Sequence, residues 1–465
     1  MKRVRTRSMF VFVLVILFFA GIVYFTVNIC LNADAWVQHS YNGHTSGSGG
    51  LEKAGKVFDR NGVVLAQTVD GERQYNEDYT TRLSTLHVVG DNSLNISTAV
   101  QSVYRSELTG FSYIWGLEMP QSFRGGNNLT LTIDSNACNA AYEALGGQEG
   151  AVVVMNYKTG EILCSVSSKT YDPEDPPEIT EDNENEYVGA YLNRVLSSTY
   201  TPGSTFKIIT AAAAIENMPD IESRTFECAG SANIGGKEVT CMSNHGEIGL
   251  RDGFAQSCNI VFAQLAYELG ADKMTEAADK MGINSSFNVG HAPTVKGQYD
   301  VKNASDNDIA WSGIGQYTDL ANPMQMCILM SAIANGGNRA EPYYVAGISG
   351  RDFSEVTAGV GNGAAMLNSN TAEKLKGFMR YTVESNYGDS LFGGNLSVCA
   401  KTGTAEVAEG ESNDAWIVGF SLDEDAPLAF AVVVEDGTFG LTTAGPVASA
   451  ALQACAEDIR SGSWE

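Results

Sequence analysis

The chain is short of basic residues: 29 lysines and arginines stand against 55 aspartates and glutamates, for a formal net charge of -26 over 465 residues. Proteins that bind nucleic acid neutralise phosphates with clustered lysine and arginine, and this chain does not show such clusters. We therefore predict no nucleic acid partner. Hydrophobic residues make up 44% and charged residues 18%, which is typical of a globular chain rather than a disordered one.

Charge is also missing near the N-terminus, where residues 9–31 contain no charged side chain. This apolar run is long enough to cross the ~30 Å hydrocarbon core of a bilayer. It exceeds the usual apolar region of a cleavable signal peptide, and no clear Ala-x-Ala site follows it. The basic, acid-free residues 1–8 place that end in the cytoplasm by the positive-inside rule. We predict a cytoplasmic tip (1–8), a transmembrane anchor (9–31) and a flexible linker (32–50).

Metal-binding patterns are missing as well. The nine cysteines include no Cys-x-x-Cys pair and the chain has five histidines, so the sequence predicts no metal site. Most cysteines lie in apolar runs, where a free thiol behaves as a small hydrophobic side chain. Cys228 and Cys241 differ, because they flank a glycine-containing stretch outside the membrane. They are a candidate disulfide, and two free thiols are the alternative, because sequence alone does not fix connectivity.

The rest of the chain is predicted to form a small N-terminal domain (51–127) and a larger domain (128–465). In the small domain, Asn61-Gly62 joins two β-rich runs and predicts a hairpin. The segment 85–91 in the same domain is predicted to be a short strand or a buried loop. We expect this region to be small and β-rich.

The larger domain has strand-like runs near both of its ends, at 128–134, 150–167 and 398–435, with helical patterns between them. Lys158-Thr159-Gly160 is predicted to be the turn between two strands of the second run. Short connections favour antiparallel pairing. The sequence therefore predicts an α+β fold in which helices flank an antiparallel sheet.

The stretch Thr201–Lys207 reads T-P-G-S-T-F-K. Its Pro-Gly pair precedes an alanine-rich run with helical spacing, so a helix is predicted to begin here with Ser204 in its first turn. Residues three apart on a helix share a face, so Lys207 can approach the Ser204 hydroxyl. The two are a candidate nucleophile and base. For an isolated S-x-x-K, an N-cap serine followed by an ordinary surface lysine is the alternative.

Two further motifs follow in order: Ser257-Cys258-Asn259, in or leading into a helix, and Lys401-Thr402-Gly403-Thr404, in a strand-like run. S-x-x-K, S-D-N and K-T-G motifs occur together in β-lactamases and penicillin-binding proteins. The chain resembles the class B penicillin-binding proteins, monofunctional peptidoglycan DD-transpeptidases related to the serine β-lactamases. The resemblance includes DRNGVVLA (59–66), GIGQ (313–316) and AWIVGF (415–420) and covers most of the chain from about residue 55. It implies the penicillin-binding transpeptidase fold.

The resemblance also implies roles for the motif residues. Ser204 is expected to attack the substrate with Lys207 as its base, and the pKa of that lysine must fall from ~10.4 to near 7. Lys207 should therefore be desolvated and close to a second cation, for which Lys401 is the candidate. Ser257 is expected to relay a proton to the leaving amine, and Asn259 to hold Lys207 and the substrate amide.

The K-T-G-T segment is expected to bind substrate. Backbone N–H groups of Ser204 and Thr404 would form the oxyanion hole. Thr402 and Thr404 resemble the hydroxyls that hold the terminal carboxylate of D-Ala-D-Ala, and Gly403 is expected to leave its strand face open for substrate. Plain alternation turns the two threonines away from Lys401, so a twisted edge strand is required.

The leading hypothesis is a peptidoglycan DD-transpeptidase that forms a Ser204 acyl-enzyme, releases D-Ala and is a target of β-lactams. No cofactor is expected. The resemblance implies a single-pass protein of the bacterial plasma membrane with an extracytoplasmic catalytic domain. Its implied partners are peptidoglycan stem peptides, β-lactam antibiotics, and a SEDS-type glycosyltransferase with other wall-synthesis membrane proteins. The alternatives are a β-lactamase or DD-carboxypeptidase, in which water takes the acyl group, and a penicillin-binding sensor or scaffold protein.

Overall fold

The computed structural model describes residues 2–37, 50–110, 126–180, 182–290, 292–350, 356–357, 362–405 and 413–462. Residues 38–49 of the predicted linker and 111–125 of the predicted N-terminal domain lie outside this part. The α-helices in the described residues are α1 (Lys2–Val37), α2 (Tyr79–Val89), α3 (Val100–Val103), α4 (Arg105–Thr109), α5 (Ser135–Leu145), α6 (Arg194–Ser197), α7 (Lys207–Asn217), α8 (Leu250–Ala255), α9 (Asn259–Lys280), α10 (Asp306–Ser312), α11 (Pro323–Ala334), α12 (Ser369–Thr382) and α13 (Gly445–Ser461).

The strands in the same residues are β1 (Val57–Phe58), β2 (Val64–Val69), β3 (Glu72–Tyr75), β4 (Asn128–Leu131), β5 (Gly150–Asn156), β6 (Ile162–Ser168), β7 (Thr225–Cys228), β8 (Ser231–Ile234), β9 (Lys237–Thr240), β10 (Gly246–Gly249), β11 (Asn288–Val289), β12 (Ala292–Pro293), β13 (Asn338–Ala340), β14 (Val345–Ser349), β15 (Val356–Thr357), β16 (Asn362–Ala365), β17 (Val398–Ala405), β18 (Asp414–Ser421) and β19 (Leu428–Val434).

The central sheet has five strands in the order β17-β18-β19-β5-β6 within the described residues. Each neighbouring pair is antiparallel, as the short connections predict. Helices α5 and α13 pack against each other and the sheet, and α11 packs against β5, β18 and β19. Every residue of β5, β6 and β19 is buried, so helices cover both faces of this sheet. The predicted turn at Lys158-Thr159-Gly160 joins β5 to β6.

A second sheet runs in the order β15-β14-β4-β1-β2-β3. The predicted hairpin is present: β1 pairs antiparallel with β2, and Val57 lies opposite Ala66. Strand β1 also pairs in parallel with β4, and β4 pairs with β14. The hairpin of the predicted N-terminal domain is thus hydrogen-bonded to strands of the larger one.

The prediction of a strand or loop at 85–91 is wrong. Helix α2 covers most of this segment, with the Asp78 side chain accepting from Thr81 N at its start and Gly90, at φ 96°, after its end. Most of its residues are buried, so tertiary packing and end capping override the β preference of its valines.

Helix α1 is the predicted anchor. Its segment Arg7–Ile29, 23 residues with a mean hydropathy of 2.8, is long and apolar enough to cross a membrane. Length and composition therefore agree with the predicted span at 9–31.

Candidate active site

Ser204 lies in a 3₁₀ turn, Gly203–Phe206, that leads directly into α7. The Thr205 hydroxyl donates to Pro202 O at 2.7 Å, and Gly203 N donates to Gly315 O at 3.0 Å. Gly315 has φ 78°, and a Cβ there would lie 2.0 Å from Gly203 O, so only glycine permits this contact. The GIGQ stretch therefore supports the turn that presents the serine.

Lys207 is one helical turn from Ser204, and its Nζ lies 3.1 Å from Ser204 Oγ. The same nitrogen lies 2.6 Å from Ser257 O, 3.1 Å from Ser257 Oγ and 2.7 Å from Asn259 Oδ1. A charged ammonium has three protons for these four oxygens. A neutral amine donates two N–H hydrogen bonds and has one lone pair. That lone pair is available to accept the proton of a neighbouring hydroxyl, such as that of Ser204.

Burial adjusts Lys207 for that role. The side chain has 0% exposure, and desolvation lowers its pKa to about 7, against an opposing effect of the nearby Cys258 and Cys241 sulfurs. A base of this pKa is half neutral near pH 7. The sequence predicts that desolvation and a second cation lower the pKa of Lys207. In the structure, burial is the main cause of the lowered pKa.

Ser257 lies between two lysines. Its Oγ is 3.1 Å from Lys207 Nζ and 3.0 Å from Lys401 Nζ. Lys401 is also fully buried, and burial followed by the positive charge of Lys207 holds its pKa well below the usual value. The two ammonium positions face Phe262 and Phe254, at 5.8 and 6.0 Å from the ring centroids, which favours positive charge in this buried place.

The Ser257–Asn259 motif joins α8 to α9. Ser257 has φ 54°, a region that non-glycine residues rarely adopt. Hydrogen bonds from Ser257 N to Phe254 O and from Cys258 N to Gly253 O hold this bend. The Asn259 amide donates from Nδ2 to Thr240 O at 3.0 Å, which turns its Oδ1 toward Lys207.

Strand β17 carries Lys401 to Thr404 at the edge of the central sheet. The expectation that Gly403 leaves space for substrate is wrong. A Cβ on Gly403 would lie 2.7 Å from Pro202 O and 3.0 Å from Thr205 Cγ2, so the space is filled by the turn that carries Ser204. The glycine allows the strand and the Ser204 turn to approach each other.

Thr402 and Thr404 line one cavity of about 520 Å³ together with Ser204, Ser257 and Asn259. The two threonines alternate with the buried Lys401 and Gly403 along β17. Their hydroxyls contact Tyr387 OH and Gly440 N, from two other residues of the cavity lining. The edge strand thus brings both threonines to the site, as the motif requires.

The sequence motifs do not identify several residues of this cavity. Tyr387 OH lies 2.8 Å from Thr402 Oγ1 and accepts from Thr402 N at 3.1 Å. Trp311, Gln316 and the half-exposed Phe439 also line it. Gln316 belongs to the GIGQ stretch, so a signal was present for it. Tyr387 follows α12 outside any motif, and only the folded chain places it.

Cys228 and Cys241, the candidate disulfide, are free thiols in the structure, which is the alternative that the sequence left open. Their sulfurs each lie near one imidazole nitrogen, His245 Nδ1, at 3.4 and 3.6 Å. Cys241 Sγ is 4.0 Å from the sulfur of Cys258. His245 and Cys258 therefore lie beside the two sulfurs that the disulfide would join.

The chain matches a family model described as "Penicillin binding protein transpeptidase domain" over residues 150–453. Peptidoglycan D,D-transpeptidase PbpA of Mycolicibacterium smegmatis is 28% identical over 430 residues, covering 83% of this chain and 84% of that protein. Stage V sporulation protein D of Bacillus subtilis is 27% identical over 433 residues, covering 84% of this chain and 64% of that protein.

Among solved structures, the ceftriaxone acyl-enzyme complex of penicillin-binding protein A from M. tuberculosis superposes with a TM-score of 0.77 at 25% identity, covering 87% of this chain and 99% of that one. The D,D-transpeptidase domain of a peptidoglycan glycosyltransferase from Eggerthella lenta gives a TM-score of 0.74 at 28% identity, covering 88% and 98%. These similarities extend well beyond the three motifs.

Proposed function

The chain belongs to the penicillin-binding protein transpeptidase family, and from this premise we propose that it is a peptidoglycan D,D-transpeptidase with Ser204 as its nucleophile. The observation that carries the proposal is the connected set Ser204, Lys207, Ser257 and Lys401, which we call the lysine–serine site. Contacts of 3.0–3.1 Å link each member to the next through Lys207 Nζ and Ser257 Oγ. A serine needs such a base in contact with it to become nucleophilic at neutral pH.

In the acylation step, the neutral amine of Lys207 takes the Ser204 proton, and Ser204 Oγ attacks the carbonyl carbon of the penultimate D-Ala. The tetrahedral intermediate then breaks its C–N bond and releases D-Ala. The Ser257 hydroxyl gives its proton to the leaving nitrogen and takes one from the Lys207 ammonium. Lys207 returns to its neutral form, and an ester joins Ser204 to the stem peptide.

In the second step, an amine of another stem peptide attacks this ester. The amine loses a proton to Lys207, and Ser204 Oγ regains a proton as the ester bond breaks. The product is an amide cross-link. Lys401 remains beside Ser257 Oγ, where its N–H group can stabilise negative charge on that oxygen.

Substrate would lie along β17. We assign the terminal carboxylate to Thr402 and Thr404, and the oxyanion to the backbone N–H groups of Ser204 and Thr404. Asn259 holds Lys207 through Oδ1 and would contact the substrate amide. Both threonines line the same cavity as the nucleophile, which supports this assignment.

β-Lactams would acylate Ser204 in the same way. Penicillin-binding protein A from M. tuberculosis, a structural neighbour, forms acyl-enzyme complexes with ceftriaxone, imipenem and penicillin G. The four-membered lactam presents a carbonyl that the same serine can attack, and the ester stays bound until water or an amine displaces it.

We further propose that α1 anchors the protein in the bacterial plasma membrane by a single pass, with the catalytic domain outside. The apolar segment Arg7–Ile29 and the basic residues before it support this orientation. A SEDS-type glycosyltransferase would contact the anchor and residues 51–127. The family resemblance is the support for that partner.

A cross-linking assay tests the function. Stem-peptide strands are supplied with an acceptor amine, and cross-linked product is separated from free D-Ala. A transpeptidase gives cross-linked product that is lost in Ser204→Ala and kept in Ser331→Ala, which removes a buried hydroxyl from α11. D-Ala release without cross-links would identify a carboxypeptidase, and rapid penicillin turnover would identify a β-lactamase.

A further inference from the structure

Four metal-ligating side chains meet beside the lysine–serine site. They are Cys228, Cys241, His245 and Cys258, which we call the cysteine cluster, and their ligand atoms all lie within 4.8 Å of one another. We propose that this cluster is a structural Zn²⁺ site that holds the Ser257–Asn259 motif in place. The sequence, which has no Cys-x-x-Cys pair, predicts the opposite.

The distances match a tetrahedral metal site. Zinc bonds of ~2.3 Å to sulfur and ~2.0–2.1 Å to nitrogen place two ligand sulfurs ~3.8 Å apart and a sulfur and a nitrogen ~3.6 Å apart. The Cys241 and Cys258 sulfurs are 4.0 Å apart. His245 Nδ1 lies 3.4 Å from Cys228 Sγ and 3.6 Å from Cys241 Sγ. The remaining ligand-to-ligand distances are at most 4.8 Å, so movements of no more than about 1 Å would complete the tetrahedron.

The donor set selects the metal and its role. Three thiolates and one imidazole in a tetrahedron favour zinc over magnesium or calcium, which prefer oxygen ligands. Four protein ligands leave no position for water or substrate, so the site is structural rather than catalytic. Binding one Zn²⁺ releases the three thiol protons to solvent and needs no oxidant or reductant.

The surrounding strands explain why a metal would be useful here. Cys228 ends β7, Cys241 follows β9, His245 precedes β10, and Cys258 caps α9. Strand β7 pairs only with β10, and β8 only with β9, among the strands described. Isolated two-stranded ribbons are marginally stable. A metal bound at their ends would tie both ribbons to the start of α9.

The cysteine cluster is joined to the lysine–serine site through Asn259. Its backbone N donates to Cys241 Sγ at 3.4 Å, a contact of the kind that orients metal ligands. Its side chain spans from Thr240 O to Lys207 Nζ, and Cys258 immediately precedes it. Cys241 and His245 also line the substrate cavity. The metal would therefore act as a positioning element for Asn259 and for one cavity wall.

The first experiment measures metal in the unmodified protein. The full chain is purified in detergent without chelators, and its metals are counted by inductively coupled plasma mass spectrometry. One zinc per chain is the expected result. Protein produced with cobalt in place of zinc should show the strong visible bands of tetrahedral Co²⁺ and a near-ultraviolet sulfur-to-cobalt band. Neither measurement depends on transpeptidase activity, so a failed cross-linking assay leaves this proposal standing.

The second experiment compares matched variants. Cys228→Ala and His245→Ala should each lose the zinc, whereas Cys327→Ala should keep it. Cys327 is a buried free thiol in α11 outside the cluster, so it controls for loss of a buried sulfur. In zinc-free wild type, penicillin acylation should fall several-fold and return when zinc is added back.

Two results would overturn the proposal. One is wild-type protein without stoichiometric metal whose cysteines all titrate as free thiols. The other is a Cys241–Cys258 disulfide in the protein as isolated, detected by peptide mapping before and after reduction. If the alanine variants fail to fold, the zinc content and the cobalt spectrum of the unmodified chain still test whether the cysteine cluster binds a metal.

Discussion

The lysine–serine site and the cysteine cluster meet at Ser257–Asn259 but are specified differently. The first uses two lysines with 0% exposure, whose charge is disfavoured by burial and whose ammonium groups hydrogen-bond to oxygen atoms and face aromatic rings. The second uses sulfur and imidazole at the ends of short strands and at the start of α9. One arrangement prepares a proton acceptor, and the other prepares a ligand set. In the roles proposed above, the adjacent residues Ser257 and Cys258 serve two unrelated kinds of chemistry.

The two regions also differ in what holds them. The Ser204 turn is fixed by close backbone packing against Gly315 and Gly403, within a large buried core. The ribbons that carry Cys228, Cys241 and His245 contribute only a few buried side chains. We therefore expect the lysine–serine site to respond to changes in packing and protonation, and the cysteine cluster to respond to metal removal.

The largest expected effect separates the two regions directly. Lys207→Met keeps the length of the side chain but removes the base, and general-base loss typically costs about 100- to 10,000-fold in rate. Penicillin acylation, followed with a fluorescent β-lactam, should fall by this range. Zinc content should remain one per chain. Unchanged acylation would remove Lys207 from the proposed mechanism.

The next effect concerns packing at β17. Gly403→Ala places a methyl group against Pro202 O, and overpacking of this kind destabilises by about 1–3 kcal/mol. Denaturant unfolding should show this loss, and acylation should slow. The matched control is Gly377→Ala, on the exposed side of α12 with no atom within 4 Å of the new Cβ, where alanine should stabilise by about 0.5–1 kcal/mol. Equal effects at both positions would contradict the packing account.

A third difference is pH dependence. Burial lowers the pKa of Lys207 to about 7, and the neutral form is the reactive one. The acylation rate should therefore rise with pH and level off above the pKa, with a change of about tenfold between pH 6 and pH 8. Stopped-flow acylation over this range measures it. A rate that falls as pH rises would mean that a protonated lysine is required.

The smallest expected effect lies at the cavity wall. Tyr387→Phe removes the hydroxyl that bonds Thr402 Oγ1 and accepts from Thr402 N. One such hydrogen bond contributes about 0.5–1.5 kcal/mol, so acylation should slow by a few-fold. Zinc content and the pH profile should not change. A shifted pH profile would instead connect Tyr387 to the lysines.

Features that depend on local contacts could be predicted from the sequence. Helical spacing alone brought Ser204 and Lys207 together, and the hairpin at Asn61-Gly62 followed from its turn residues. Asn259 and Lys401 could be placed near them only through the family resemblance, because they are 55 and 197 residues from Ser204 along the chain.

Features that depend on packing or on distant elements could not be predicted from the sequence. The valines of α2 favour a strand in isolation, and the Asp78 cap and burial make them helical. The role of Gly403 depends on where another segment lies. The members of the cysteine cluster come from four separate element ends, and only Cys241 and His245 are close in sequence. The candidate disulfide involved only two of the three sulfurs.

The most direct test of the central claim is the position of the penicillin adduct. Protein is labelled with penicillin G, digested, and mapped by mass spectrometry, with Ser204→Ala treated in parallel. We predict one stable adduct on the peptide that contains Ser204 and no adduct in the variant. An adduct on another residue, or labelling that persists in Ser204→Ala, would contradict the assignment of Ser204 as the nucleophile.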